Sequence, residues 1–234
     1  MKKPIFYSEF AYLIGVLLLS LGNSLSVFAD FGVSMVVAPA YVLHLALVDT
    51  FPWFSFGMAE YTVQALVIVV LILMTRRVKL RFFLSFSTTL VYGAVLDVCM
   101  LLTAWLPPLP GVRIGAYVLS IFLCSAGVAL LFTPYFPPGL YEVFVQEIVG
   151  KWHGKLGVVK TVYDICSLLV AVAMSLLIFG GFHGIGVGTV VGAFFNGTLI
   201  HLFGKLYKRM FAVKDALPWR SFFEGKHETK KPIR

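Results

Sequence analysis

Residues 66–86 read LVIVVLILMTRRVKLRFFLSF: an apolar run, four cations at Arg76, Arg77, Lys79 and Arg81, and a second apolar run. Followed outward, the two runs extend over 54–75 and 82–105. Each supplies the roughly 20 mostly apolar residues that a helix needs to cross a bilayer. Two long runs joined by a short basic break are the pattern of a chain that crosses, turns and crosses back.

The same pattern recurs. Stretches at 9–29, 114–133, 156–179 and 185–206 also qualify as spans, which makes six. Two further apolar stretches are shorter and broken by turn formers. One runs from Gly32 to Leu47 with Pro39 inside it. The other runs from Pro137 to Val149 and opens on Pro137-Pro138-Gly139. Their length suits re-entrant helices, or helices lying in the interface, better than spans.

The cations test this reading, because cytoplasmic loops collect Lys and Arg. With Lys2 and Lys3 in the cytoplasm and neither short segment crossing, the 76–81 cluster, Lys151, Lys155 and the tail from Lys205 all come out cytoplasmic. The other side receives Asp30, Asp49, the Pro107-Pro108-Leu109-Pro110 loop with Arg113, and the loop 180–184. If both short segments crossed, the 76–81 cluster would move outside. The expectation is an all-α polytopic bundle with both termini cytoplasmic.

Composition agrees. The chain is 59% hydrophobic and 13% charged, against about 45–50% and about 25% in soluble domains. A net charge of +8 raises the question of nucleic acid, but the cations sit at loops and ends, where topology demands them. No nucleic-acid partner is expected; the bilayer is. Trp53, Trp105 and Trp152 stand at run ends and suit an interfacial belt. Cys99, Cys124 and Cys166 lie within apolar runs without metal-ligand spacing, so they read as packing residues, with no metal and no disulfide framework. Lys2, Lys3, the first run and Val27-Phe28-Ala29 resemble a secretory signal. The first run nevertheless has a counterpart later in the chain, so it reads as a retained helix.

That counterpart belongs to an internal repeat. Ala11-Tyr12 matches Ala116-Tyr117, and Gly22 matches Gly127, at an offset of 105. Ala38-Pro39-Ala40-Tyr41 lies near Pro138-Gly139-Leu140-Tyr141. Gly57 aligns with Gly157 at an offset of 100, which brings Glu60 opposite Lys160 and Gln64 opposite Asp164. Tyr92-Gly93-Ala94 lies near Asn196-Gly197-Thr198, with Asp97 opposite His201. Each half reads long helix, short broken helix, long helix, long helix. Three crossings is an odd number, so the second half must be inserted upside down. The predicted organisation is a first transmembrane repeat over 1–106, an inverted second repeat over 107–206 and a basic cytoplasmic tail over 207–234. Inverted repeats with discontinuous helices are an architecture of transporters and channels.

Ionisable residues inside spans are costly, and by default mark function. Glu60 and Gln64 share one helix face. Lys160 and Asp164 share another and can pair at i, i+4, although Lys160 near the membrane edge could equally snorkel. Tyr141, Glu142, Gln146 and Glu147 in the second short segment, and His44 in the first, face a central cavity if those segments are re-entrant. Helix N-termini at membrane depth would then favour an anionic group. Asn196 suits an interhelical hydrogen bond or a cavity ligand. The candidate substrate-binding set is Glu60, Gln64, Tyr141, Glu142, Gln146, Lys160, Asp164 and Asn196, with Asp97 and His201 as proton-coupling candidates. Gly184-Ile185-Gly186-Val187-Gly188-Thr189 lacks the Lys-Ser/Thr ending of a phosphate loop and follows no strand, so it reads as close helix packing.

Gly32-Val33-Ser34 after the first span, Gly186-x-Gly188-Thr189 at the start of the last and Asn196-Gly197 within it resemble the bacterial YczE/YitT type of membrane protein, over most of 9–206. Met35-Val36-Val37 stands where that type carries a Pro-Trp pair. The resemblance implies a bacterial inner-membrane protein with a transport architecture and no catalytic residues. No His-Glu-x-x-His, Gly-x-Ser-x-Gly, acidic metal–phosphate or nucleotide motif is present, so neither an enzyme nor a self-powered pump is expected, and no cofactor. The reading is a secondary transporter or channel for a small polar solute, an anion among the candidates, either as a monomer or as a homo-oligomer. The alternatives are the substrate-binding membrane subunit of a multi-component vitamin importer and a non-transporting assembly factor.

Overall fold

The structure, a computed structural model, describes residues 4–132, 138–152 and 156–214. Lys2, Lys3, Pro137, Lys155 and the tail beyond residue 214 lie outside the described residues. The elements are β1 (Ile5–Tyr7), α1 (Ser8–Ala29), α2 (Ala38–Val48), α3 (Phe56–Thr75), α4 (Leu80–Thr103), α5 (Pro110–Leu131), α6 (Leu140–Trp152), α7 (Leu156–Phe179), α8 (Val187–Met210) and β2 (Ala212–Lys214). Six helices, α1, α3, α4, α5, α7 and α8, are long and apolar enough to cross a membrane. The all-α bundle of six spans is therefore present. α8 runs four residues past its expected end, and the two short strands, which were not anticipated, pair in parallel.

α1 crosses α5 at the centre. A Cβ on Gly22 would stand 2.8 Å from the Cys124 nitrogen and 3.1 Å from the Ser120 carbonyl. A Cβ on Gly127 would stand 2.7 Å from the Leu19 nitrogen and 2.8 Å from the Gly15 carbonyl. At the offset of 105, Ser120 is the counterpart of Gly15, Cys124 of Leu19 and Gly127 of Gly22, so the crossing maps onto itself. Early α1 meets late α5, so the two helices run antiparallel, as an inverted repeat requires. Small residues let the backbones approach this closely.

The other pairings follow the same exchange. α1 packs on α4 and α5 on α8; α2 packs on α7 and α6 on α3. The α1–α4 pair is parallel: Ser20 Oγ donates to the Tyr92 carbonyl (3.2 Å), and Ser24 and Thr103 share a hydrogen bond of 2.6 Å. α5 and α8 are also parallel, with Tyr117 bonded to the Gly188 carbonyl and Ser125 to Asn196.

Both short helices lie inside the bundle rather than on its surface. Ala38, Ala40 and Val42 of α2, and Leu140 and Val143 of α6, are fully buried. The chain goes inward at Val33, whose N–H bonds the Gly184 carbonyl. Val37 reaches the core beside Val16 and Leu131, and α2 leads back to Ser55 at the same end. α6 starts deep and ends at the basic end, where Lys151 Nζ donates to the Met74 carbonyl (2.7 Å) and Lys79 pairs with Glu147 (2.6 Å). Non-helical backbone at this depth survives because protein surrounds it.

Of the three cysteines read as packing residues, Cys99 and Cys124 are buried, whereas Cys166 is exposed on α7. It lies on the turn of α7 away from the bundle.

Candidate functional site

The N-terminal ends of α2 and α6 approach the same space between the halves. That space is a cavity of about 500 Å³. Its wall is mostly apolar, from Val16, Leu19, Val36, Val128 and Leu131 among others. Into it project Gln64 from α3, Tyr141 and Glu142 from α6, Lys160 and Asp164 from α7, and Asn196 and His201 from α8. Seven of the ten candidates thus converge, drawn from both halves.

Lys160 Nζ lies 3.3 Å from Asp164 Oδ1, with both side chains partly exposed. Glu142 follows Gly139 at the start of α6, and its carboxylate folds back to within 2.7 Å of where a Gly139 Cβ would stand. It occupies the first turn of its own helix, where a negative charge is favoured. Ser125 Oγ donates to Asn196 Oδ1 (3.3 Å), so Asn196 both ties α5 to α8 and faces the cavity.

Glu60 stands behind this wall, fully buried. Its Oε2 accepts from Gln64 Nε2 and from the Tyr141 hydroxyl, both at 3.0 Å. Thr89 Oγ1 then donates to Gln64 Oε1 at 2.5 Å. Glu60 Oε1 is buried with no hydrogen-bond partner among the described residues. A buried polar atom in that condition is expensive and calls for an explanation.

The remaining candidates lie elsewhere. Gln146 is held by Arg81 at the basic end. Glu147 pairs with Lys79 there. His44 bonds the Phe54 carbonyl (2.9 Å) and stacks on Phe56. Asp97 receives the Ser55 hydroxyl (2.6 Å) and the Gly57 N–H (2.8 Å), so it caps α3 from α4. Asp97→Ala should therefore lower stability by about 1–2 kcal/mol, the usual worth of an N-cap, read as a lower unfolding temperature in detergent. No loss would show that the cap is carried by Ser55 alone.

Asn23 and Tyr92 also line the cavity, with Asn23 Nδ2 donating to the Tyr92 hydroxyl (2.8 Å). A search for charge passes over them. The signal that marks them is an amide and a phenol in mid-span, where an uncharged polar group also needs a partner. Among the described residues no group of His, Cys, Asp or Glu could hold a metal ion.

Residues 6–205 match a protein family described as a family of unknown function (DUF6198). No curated protein matches the chain, and no solved structure does.

Proposed function

We propose, from the premise that this chain belongs to the DUF6198 family, that it is a secondary transporter or channel for a small polar solute, with its site in the cavity between the halves. The observation that carries the reading is the convergence of Gln64, Tyr141, Glu142, Lys160, Asp164 and Asn196 on one cavity. Polar and charged side chains are retained inside a membrane bundle when they serve a path or a site. The basic end, with Lys79, Arg81 and Lys151, is taken as cytoplasmic by the positive-inside rule. That orientation suits a bacterial inner membrane, as does the likeness to the YczE/YitT type.

One ground for an anionic solute weakens. The N-terminus of α6 is already served by Glu142, and Glu142 and Asp164 together outnumber Lys160. Neutral or zwitterionic solutes fit this lining better than simple anions.

The test is uptake of radiolabelled urea, glycine, acetate and inorganic phosphate into proteoliposomes of the purified protein. At least one should enter faster than into empty liposomes. Asp164→Ala and Asn196→Ala should each slow that uptake about tenfold, the equivalent of ~1.4 kcal/mol. If no solute enters faster, transport of these classes is refuted. If uptake survives both changes, the site is misassigned.

A further inference from the structure

The two halves differ at one seam. In the first, α3 and α4 pack along each other. Tyr61 covers Gly93, where an added Cβ would meet its ring. Thr89 bonds Gln64, and Asp97 pins the start of α3. In the second half, α7 and α8 make no comparable pair among the described residues. Gly197, the counterpart of Gly93, has nothing within 4 Å of an added Cβ. His201, the counterpart of Asp97, makes no hydrogen bond or ion pair among the described residues. Asn196, Gly197 and His201 of α8 instead face Lys160 and Asp164 of α7 across the cavity.

The closed seam is pinned at the end opposite the basic one. His201 lies toward the basic end. Among the described residues the cavity is therefore sealed on one side and unsealed on the other, by the same structural unit in two arrangements. Repeat-related halves have the same two packings available to them, and one backbone design with two packings is a bistable element.

We propose that the protein is a carrier whose two seams exchange states: α7 closes on α8 as α3 now closes on α4, while α3 parts from α4. Lys160 and Asp164 then occupy the positions that Glu60 and Gln64 hold in the closed seam. The buried Glu60 with its unpartnered Oε1 becomes part of the open wall. Each seam sealed in turn gives access from one side at a time, which a fixed pore does not. This rests on the reading of the cavity as a solute site.

Four exposed positions report on it: Thr62 and Ala94 across the first seam, and their counterparts Val162 and Thr198 across the second. Cys99 and Cys124 are buried and can remain; the exposed Cys166 is replaced by alanine. Spin labels are placed at Thr62→Cys with Ala94→Cys, or at Val162→Cys with Thr198→Cys, in the full chain in lipid nanodiscs. Pulsed dipolar distances are then measured. Packed helices lie about 8–10 Å apart, so an opened seam should read longer than the closed one.

The expected result is two populations for each pair. Asp97→Ala should enlarge the long population of 62–94 and, reciprocally, the short population of 162–198. Asp97→Asn, which keeps one acceptor, should do the same to a smaller degree and serves if the alanine variant fails to fold. Widening at 62–94 with 162–198 unchanged would reduce Asp97 to a helix cap and overturn the exchange. So would one population at both pairs. Solute uptake with a single population would leave a transporting pore without exchange. Exchange without uptake of any solute would remove the solute reading and keep the switch.

Discussion

Gly22→Ala and Gly127→Ala should each destabilise the protein by about 1–3 kcal/mol, the cost of forcing a methyl group into a packed interior, and Gly22→Leu should prevent assembly of the bundle. The added Cβ at position 22 would lie 2.6 Å from the Cys124 sulfur and 2.8 Å from the backbone nitrogen. The sulfur can move; the nitrogen moves only with its helix. At position 127 the nearest atoms, Leu19 N and Gly15 O, are both backbone. α1 and α5 must therefore separate, and everything packed on them separates too. Because both changes strain one interface, the double variant should cost less than the sum. Gly115→Ala is the control on the same helix, since nothing lies within 4 Å of its added Cβ; there alanine should be neutral or slightly stabilising. Unfolding temperatures and monodispersity in detergent read all five. Wild-type stability of both Gly22→Ala and Gly127→Ala would mean that the crossing is looser than its geometry.

The second large effect is at Glu60. Glu60→Ala removes the acceptor of both Gln64 Nε2 and the Tyr141 hydroxyl. Leaving a buried donor unsatisfied costs about 1–3 kcal/mol per group, and a cavity term adds to that. Stability should fall by roughly 2–5 kcal/mol on those figures, and uptake should be lost. Glu60→Gln keeps an oxygen where Oε2 stands and has nearly the same volume, so its stability should stay close to wild type. Uptake by Glu60→Gln then separates the roles: a carboxyl needed only to hold Gln64 and Tyr141 leaves uptake intact, while one that exchanges a proton or touches the solute does not. If Glu60→Ala folds, unfolds and transports as wild type does, the network is not a structural or functional unit.

Much of this bundle is legible in the chain because membrane solvation imposes it. The six long helices follow from run length, and the antiparallel crossing of α1 on α5 is what an odd number of crossings per half leads one to expect. The offset of 105 between Gly22 and Gly127 survives into three dimensions as a self-matching crossing. Gln64, Tyr141, Glu142, Lys160, Asp164 and Asn196 were reachable as polar groups in apolar surroundings, and they converge. Partners, by contrast, are set by packing that the sequence pattern does not display. Asp97 and His201 align as equivalents, yet one caps a helix and the other stands open. Gln146 and Glu147 lie on a helix whose first turns line the cavity, but a helix of 13 residues also reaches the bundle end, where Arg81 and Lys79 take them. His44 is claimed by an aromatic neighbour, Phe56, and a carbonyl. Neither outcome is encoded in spacing.

The pairing of Ile5–Tyr7 with Ala212–Lys214 joins the first described strand to the last, and Phe6 rests against Phe211 with ring centroids 5.1 Å apart. In effect the described bundle, from β1 to β2, closes on itself as a ring. Such a ring can be cut elsewhere: at the Pro107-Pro108-Leu109-Pro110 connection, the second half would come first in the polypeptide with every contact of the bundle preserved. The order in which the halves are synthesised is then a matter of insertion, each needing its own starting orientation, and not of the finished architecture.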